Sequence, residues 1–239
     1  IDRLGAAVHE YGGFLVVDTV ASYMGTPVKV DEWQLDAVVG GAQKCLSIPS
    51  GITPITFNDR FAAEINKRKR VEQGVRTGED TKRNNYITSN YLDLTQLQDY
   101  WSPRRLNHHT EATVANYALH EGLRLALQEG LQNRFERHLQ VHHALNAGLD
   151  AMGLHIYHQT DHEMPMVTCV EIPDQLDGDQ FRETFLKDFG VEISSSFGSL
   201  QGKIWRIGTM GYSAQRHFIT NFIALLGAAL LQAGASVDL

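Results

Sequence analysis

Short apolar runs that do not alternate with polar residues mark the first quarter of the chain: Phe14-Leu15-Val16-Val17 ending on Asp18, Ala37-Val38-Val39, and the stretch from Ile52 to Phe57. A strand with one wet face alternates, whereas a strand covered on both faces does not, so these runs predict a mostly parallel sheet with helices on both faces. A helical pattern ending at Tyr11 precedes the first run, and a charged helix is predicted from Asn58 to Val71. The polar stretch from Glu72 to Asn85 reads as a long irregular excursion within one domain, a kind of segment that often carries function. Two long helical patterns follow, Glu111 to Gln128 and Gly130 to Met152, the second with Leu131, Phe135, Leu145, Leu149 and Met152 on one apolar stripe. Beyond Gly153 the pattern becomes strand (Met166 to Ile172), helix (Asp179 to Phe189), two strands (Val191 to Ser194 and Ile204 to Ile207) and a closing helix (Ala214 to Leu231). The fold expected is α/β, with part of a large domain over residues 1–130 and a small C-terminal α/β domain over 131–239.

Composition narrows the classes of function. With 43% hydrophobic and 21% charged side chains, the 239 residues can build a sizeable core, and no repeat or low-complexity tract points to a solenoid or a disordered chain. A formal charge of −7 gives no electrostatic reason to bind nucleic acid or an anionic membrane, and no apolar run is long enough to span a bilayer. The basic run Lys67-Arg68-Lys69-Arg70 reads as a solvated helix face. Two cysteines, Cys45 and Cys169, form no disulfide framework, so a reducing compartment such as the cytoplasm is the simplest setting. The chain opens on Ile1-Asp2-Arg3-Leu4 with no initiator Met and runs straight into a helix, which reads as a start in mid-domain.

The first strand ends on Asp18, and the second leads through Gly40-Gly41-Ala42-Gln43 to Lys44. A carboxylate and an amine thus lie beyond the carboxyl ends of sheet strands, where open α/β sheets bind ligands. The paired glycines let the backbone leave the strand and pass close to a ligand. An amine there can form an imine once its pKa falls, and a carboxylate can keep a pyridine nitrogen protonated. On spacing alone, Asp18 as a turn cap and Lys44 as a solvated loop residue fit equally well.

Val17-Asp18-Thr19-Val20-Ala21-Ser22 followed by Gly41-Ala42-Gln43-Lys44-Cys45-Leu46 resembles the cofactor region of class V, fold-type I aminotransferases, nearest the alanine– and serine–glyoxylate branch. The resemblance implies the later part of that family's large domain followed by its small C-terminal domain, and pyridoxal 5′-phosphate (PLP) as cofactor. Lys44 would carry PLP as a Schiff base, Asp18 would pair with its ring nitrogen, Val20 would pack on the ring face and Gln43 would hydrogen-bond the cofactor. Thr110, in Asn107-His108-His109-Thr110-Glu111 ahead of a long helix, occupies an expected N-cap beside amides suited to phosphate, and in the family the matching residues serve the other subunit's cofactor. A homodimer with shared active sites is therefore expected.

Substrate expectations rest on two positions. Arg206 lies in an apolar strand, where a guanidinium needs a fixed anion; by resemblance that anion is the substrate carboxylate, and an internal salt bridge is the alternative. Alanine–glyoxylate enzymes typically have Tyr where this chain has Asn107, and an amide suits a polar, urea-bearing substrate. Together with the segments 164–173 and 202–211, this is similar to the ureidoglycine–glyoxylate branch of purine catabolism. The expected reaction transfers an amino group from the donor (S)-ureidoglycine to glyoxylate, giving oxalurate and glycine. Alanine– or serine–glyoxylate transamination, or a catalytically inactive truncated subunit, are the rivals. No metal is expected: His138 and His142 stand at i,i+4 with no third ligand evident, and His155, His158 and His162 lie in no regular element. Trp33, Trp101 and Trp205 are expected in the core or at an interface.

Overall fold

A computed structural model describes residues 1–69, 87–157 and 163–238. Arg70, Val71, the Glu72 to Asn85 stretch, His158 and His162 lie outside the described residues. Helix α1 (Leu4–Glu10) leads into strand β1 (Val16–Thr19), followed by β2 (Ala37–Gly40), β3 (Ile55–Phe57) and α2 (Asp59–Lys67). Then come α3 (Leu94–Trp101), α4 (Thr113–Glu129), α5 (Leu131–Ala151), β4 (Val167–Glu171), α6 (Gly178–Phe189), β5 (Ser194–Ser195), β6 (Ile204–Gly208) and α7 (Arg216–Gln232). The architecture is α/β, as the hydrophobic pattern predicts.

The chain forms two compact units. The first takes Ile1–Asp18, Lys29–Val39 and Thr53–Val114; the second takes Thr19–Val28, Gly40–Ile52 and Ala115–Leu239. The first sheet has the order β1-β2-β3, and β3 runs antiparallel to β2 with Ala37 opposite Phe57 and Val39 opposite Ile55. The chain between β2 and β3 contains no helix, and without a crossover element a strand returns antiparallel.

In the first unit the sheet is tied down by one buried carboxylate. Asp36, immediately before β2, accepts from the Leu15 backbone N–H at 2.8 Å, His9 Nε2 at 2.8 Å, Asn58 Nδ2 at 3.1 Å and Arg60 Nη1 at 2.9 Å. Burial alone would raise its pKa, but these four donors together outweigh that and hold it at about 2. Arg60 also donates to the Gly13 carbonyl at 2.6 Å and lies 4.2 Å from the Phe14 ring centre. Asn58 caps α2 by accepting from the Phe61 N–H. Helix α3 was not foreseen in the hydrophobic pattern; its N-cap is Asp93, which accepts from the Thr95 N–H at 2.9 Å.

The second unit carries the main core. Strands β4, β6 and β5 form an antiparallel sheet in that order, and Leu145, Leu149, Phe185, Trp205, Leu226 and Leu230 are all buried beneath it. Trp205 stacks on Phe181 at 4.7 Å and donates from Nε1 to the Gly178 carbonyl at 3.1 Å, so this tryptophan is a core residue with its polar atom satisfied. A smaller cluster packs Ala42 and Leu46 against Ala126, with Leu119 and Leu123 of α4 around them. This cluster seats the loop that bears Lys44 on α4.

The buried stripe of α5 differs from the one expected. Leu149, Leu145 and Val141 continue toward the N-terminus as His138 and Arg134, both buried, while Leu131 is exposed and Phe135 only half-buried. No helix among the described residues is long and apolar enough to cross a membrane.

Candidate functional site

The residues singled out from the sequence are divided between the two units. Asp18 in β1, with Asn107 and Thr110 in the segment between α3 and α4, belongs to the first; Val20, Gln43, Lys44 and Arg206 belong to the second. Asp18, Gln43, Asn107 and Thr110 are exposed, and Lys44 and Val20 are half-buried.

Within the first unit, the segment holding Asn107 and Thr110 is fixed by its two histidines. His108 donates from Nε2 to the Asn90 carbonyl at 2.7 Å, and its Nδ1 lies 2.9 Å from Nδ1 of His109. Tyr91 stacks on the His108 ring at 6.1 Å, and Trp101 donates to Glu111 at 3.1 Å. Helix α4 begins at Thr113, so Thr110 stands three residues ahead of the helix rather than at its N-cap. The intervening Glu111 and Ala112 are not helical, and the Thr113 N–H donates to the Glu111 carbonyl at 2.9 Å, which shifts the first free amides of the helix away from Thr110.

Within the second unit, the Lys44 loop approaches the turn that begins at Thr19. Gly41 permits this: a Cβ there would lie 2.6 Å from Val20 Cγ1 and 2.8 Å from the Val20 carbonyl oxygen. Cys45 donates from Sγ to the Ala21 carbonyl at 3.2 Å, and burial pushes its thiol up to about 11, which keeps it protonated and unreactive at neutral pH. Behind Lys44, Ser47 adopts φ of 62°, a left-handed conformation uncommon for a residue with a side chain, and its Oγ accepts from the Tyr212 N–H at 2.8 Å.

The contact between the Lys44 loop and the turn 211–213 is close enough to demand glycine. A Cβ on Gly211, whose φ is +57°, would lie 1.8 Å from Ser47 Oγ, 2.7 Å from the Cys45 carbonyl oxygen and 3.0 Å from that of Lys44. The Gly211 N–H donates to His138 Nε2 at 2.9 Å, while His138 Nδ1 donates to the Arg134 carbonyl at 2.8 Å. Both ring nitrogens are thus engaged, and burial lowers the His138 pKa, so the imidazole is neutral. Sequence spacing raised His138 with His142 as a possible chelating pair; the structure uses His138 as a backbone clamp. Among the described residues, no group of three or more His, Cys, Asp or Glu could hold a metal.

Two arginines of α5, neither of them marked by the sequence reading, complete this arrangement. Arg134 donates from Nε to the Met24 carbonyl at 3.1 Å, from Nη2 to the Cys45 carbonyl, and from Nη1 to Glu129 at 2.6 Å. Arg137 shares the same carboxylate and donates from Nη1 to the carbonyls of Gly211 at 2.8 Å and Ala214 at 2.6 Å. Burial alone would raise the Glu129 pKa, but the two guanidiniums more than offset it and lower it.

Arg206 lies in β6 opposite Cys169 of β4 and Ser194 of β5. Because neighbouring strand residues face opposite ways, it points away from the face on which Trp205 is buried. Its Nε donates to the Ser195 carbonyl at 2.8 Å, and its guanidinium carbon lies 5.3 Å from the Phe197 ring centre. It makes no ion pair with any described residue, so the terminal nitrogens of a half-buried guanidinium are left without a protein carboxylate.

The model for aminotransferase class-V matches residues 1–205. The chain belongs to the class-V aminotransferase family. It is 53% identical over 241 residues to the (S)-ureidoglycine–glyoxylate transaminase of Bacillus subtilis (strain 168), across 100% of this chain and 58% of the relative. It is 32% identical over 234 residues to the alanine–glyoxylate aminotransferase of Drosophila melanogaster, across 96% of this chain and 56% of that one. The crystal structure of the ureidoglycine–glyoxylate aminotransferase from Bacillus subtilis superposes with a TM-score of 0.88 at 51% identity, covering 98% of this chain and 57% of that one. This class-V chain therefore spans a little over half the length of the relatives it matches, and its fold is that of the fold-type I aminotransferases.

Proposed function

We propose that the protein is a PLP-dependent transaminase that moves the amino group of (S)-ureidoglycine to glyoxylate, giving oxalurate and glycine. The observation that carries the reading is Arg206, a half-buried guanidinium with one N–H spent on a backbone carbonyl and no carboxylate partner among the described residues. Such a group is suited to the bidentate grip of a substrate carboxylate. The 53% identity to a ureidoglycine–glyoxylate transaminase over the whole chain supports the choice of donor.

The residues present fit a PLP site. The close pass of Gly41 by Val20 leaves no room for a side chain, Asp18 and Gln43 are exposed, and Lys44 is half-buried. Lys44 would hold the cofactor, Asp18 would keep its ring nitrogen protonated, Val20 would cover the ring face, and Gln43 would donate a hydrogen bond to it. PLP, when bound, supplies the electron sink for the pair left as the α-proton departs. Lys44 Nζ would take that proton from the donor's α-carbon and hold it as an ammonium until it is returned. Arg206 orients the donor and then glyoxylate by their shared carboxylate, and Asn107 meets the urea group of the donor. Thr110 would bind the cofactor phosphate of a partner subunit, so a homodimer with shared sites belongs to the proposal. We assign residues 1–130 to the large cofactor domain and 131–239 to the small one, and place the protein in the cytoplasm.

The test uses borohydride fixation of PLP followed by peptide mass analysis, and glycine formation from glyoxylate with (S)-ureidoglycine, alanine and serine compared at equal concentration. Label on Lys44, lost in Lys44→Ala, and turnover fastest with (S)-ureidoglycine are the expected results. Faster turnover with alanine or serine overturns the donor assignment, and Asn107→Tyr should shift preference toward alanine.

A further inference from the structure

A buried arginine is costly unless every N–H finds a partner, and the simplest solution is a carboxylate alone. Arg134 does something more specific. Its guanidinium takes one oxygen of Glu129 and spends two further N–H groups on backbone carbonyls, those of Met24 and Cys45. Those carbonyls belong to the two segments that carry Val20 and Lys44, and the Cys45 carbonyl is one residue from Lys44 itself. Both segments contain a side-chain-bearing residue in the left-handed region, Met24 with φ of 66° and Ser47 with φ of 62°. Such conformations persist only where surrounding contacts over-determine them, and Met24 is anchored through its own carbonyl by Arg134. The other oxygen of Glu129 holds Arg137, whose hydrogen bonds to Gly211 and Ala214 fix the turn that follows the Arg206 strand.

We propose that Arg134 is the positioning residue for Lys44, and that Glu129 joins it to Arg137 so that the Lys44 turn and the turn after β6 are held as one frame. The inference rests on the reading of Lys44 as the cofactor-bearing lysine. Lysine cannot replace Arg134 in this role, because a single ammonium cannot hold two carbonyls and a carboxylate in a fixed fork.

The experiment compares parent holoenzyme with Arg134→Lys for melting midpoint, rate of borohydride-fixable labelling at Lys44, and kcat and KM for the amino donor. The expected variant remains folded, keeps the parental KM, labels Lys44 more slowly and loses roughly a hundredfold in kcat, the size of loss that a displacement of about 1 Å produces. Parental labelling rate and kcat in Arg134→Lys overturn the proposal while leaving the reading of Lys44 intact. Label on a different lysine in the parent overturns that reading and the proposal with it. A loss of kcat that merely tracks the folded fraction also overturns it. Should Arg134→Lys fail to fold, Glu129→Gln keeps an acceptor but removes the shared charge, and a fall of about tenfold in kcat at unchanged KM is then expected; unchanged kcat there overturns the proposal.

Discussion

Each compact unit is organised around an acid that gathers donors, buried at Asp36 and half-buried at Glu129, and the two acids do different work. Asp36 collects donors from α1, the β1 approach and the start of α2, and its charge serves only to bind those elements together. Glu129 collects two arginines that turn most of their remaining N–H groups to the backbone carbonyls of loops. A carboxylate saturated by side chains and by the N–H of the residue before a strand stabilises a sheet. A carboxylate that aims guanidiniums at carbonyls dictates the path of a loop, here the one bearing Lys44. Perturbing the first should lower stability with little change in the chemistry of surviving molecules, whereas perturbing the second should alter rate before it alters stability.

The largest expected effect is at Asp36. Asp36→Asn removes the buried charge while keeping the shape, and should cost about 3 kcal/mol in denaturant unfolding because Arg60 and His9 lose their anion. Since the folded pKa is about 2, below the ordinary value, the charge stabilises above about pH 4 and that contribution is lost as pH falls toward 2. The parent should therefore show a steep acid slope in that window which Asp36→Asn lacks. Labelling of Lys44 in the folded fraction should be unchanged, and a large change in labelling would erase the contrast between the two units.

Gly211→Ala probes the other side. The added methyl meets two backbone carbonyl oxygens that cannot rotate away, at 2.7 and 3.0 Å, and the residue must keep φ of +57°. A destabilisation of about 2 kcal/mol is expected from strain and overpacking. Because the displaced carbonyls are those of Cys45 and Lys44, labelling of Lys44 should slow as well. A variant equally destabilised but labelled at the parental rate would show that the 211–214 turn supports the fold without shaping the Lys44 turn.

Part of the fold was legible in the sequence. Non-alternating apolar runs announced strands β1, β2 and β3, although Val16 and Ile55 are exposed rather than covered, and Asp18 and Gly41 to Lys44 stood out because strand ends in α/β sheets are where ligands gather. Helix α3 was missed although Asp93 and Gln96 stand at capping-box spacing, since only eight residues follow and their apolar face is short. Arg134, and the buried role of His138, were missed for a physical reason: a search for apolar periodicity skips polar residues. Stepping back from Leu149 by fours and threes through Leu145 and Val141 lands on His138 and Arg134, so a polar residue in register with a buried stripe was the available signal. The partners of those residues, carbonyls 89 and 110 positions from Arg134 and an N–H 73 positions from His138, had no local signature.

The smallest expected effect, and the one that separates the units most cleanly, is the pH response of His138. Its pKa is lowered chiefly by burial, with the Arg134 carbonyl and Glu129 opposing that and the two arginines adding to it. The unfolded chain binds a proton near pH 6.5 that the folded chain refuses, so this group's contribution is fully present above about 6.5 and is lost as pH falls below it. Protonated Nε2 could no longer accept from the Gly211 N–H, a loss of about 1 kcal/mol. His138→Gln keeps an acceptor that does not titrate, and its stability should vary less than the parent's between pH 5 and about 6.5. Equal slopes in the two proteins would mean that another histidine governs this range. A flatter slope accompanied by steady labelling of Lys44 below pH 6 would tie the Lys44 turn to the neutral imidazole, far from the pH range in which Asp36 acts.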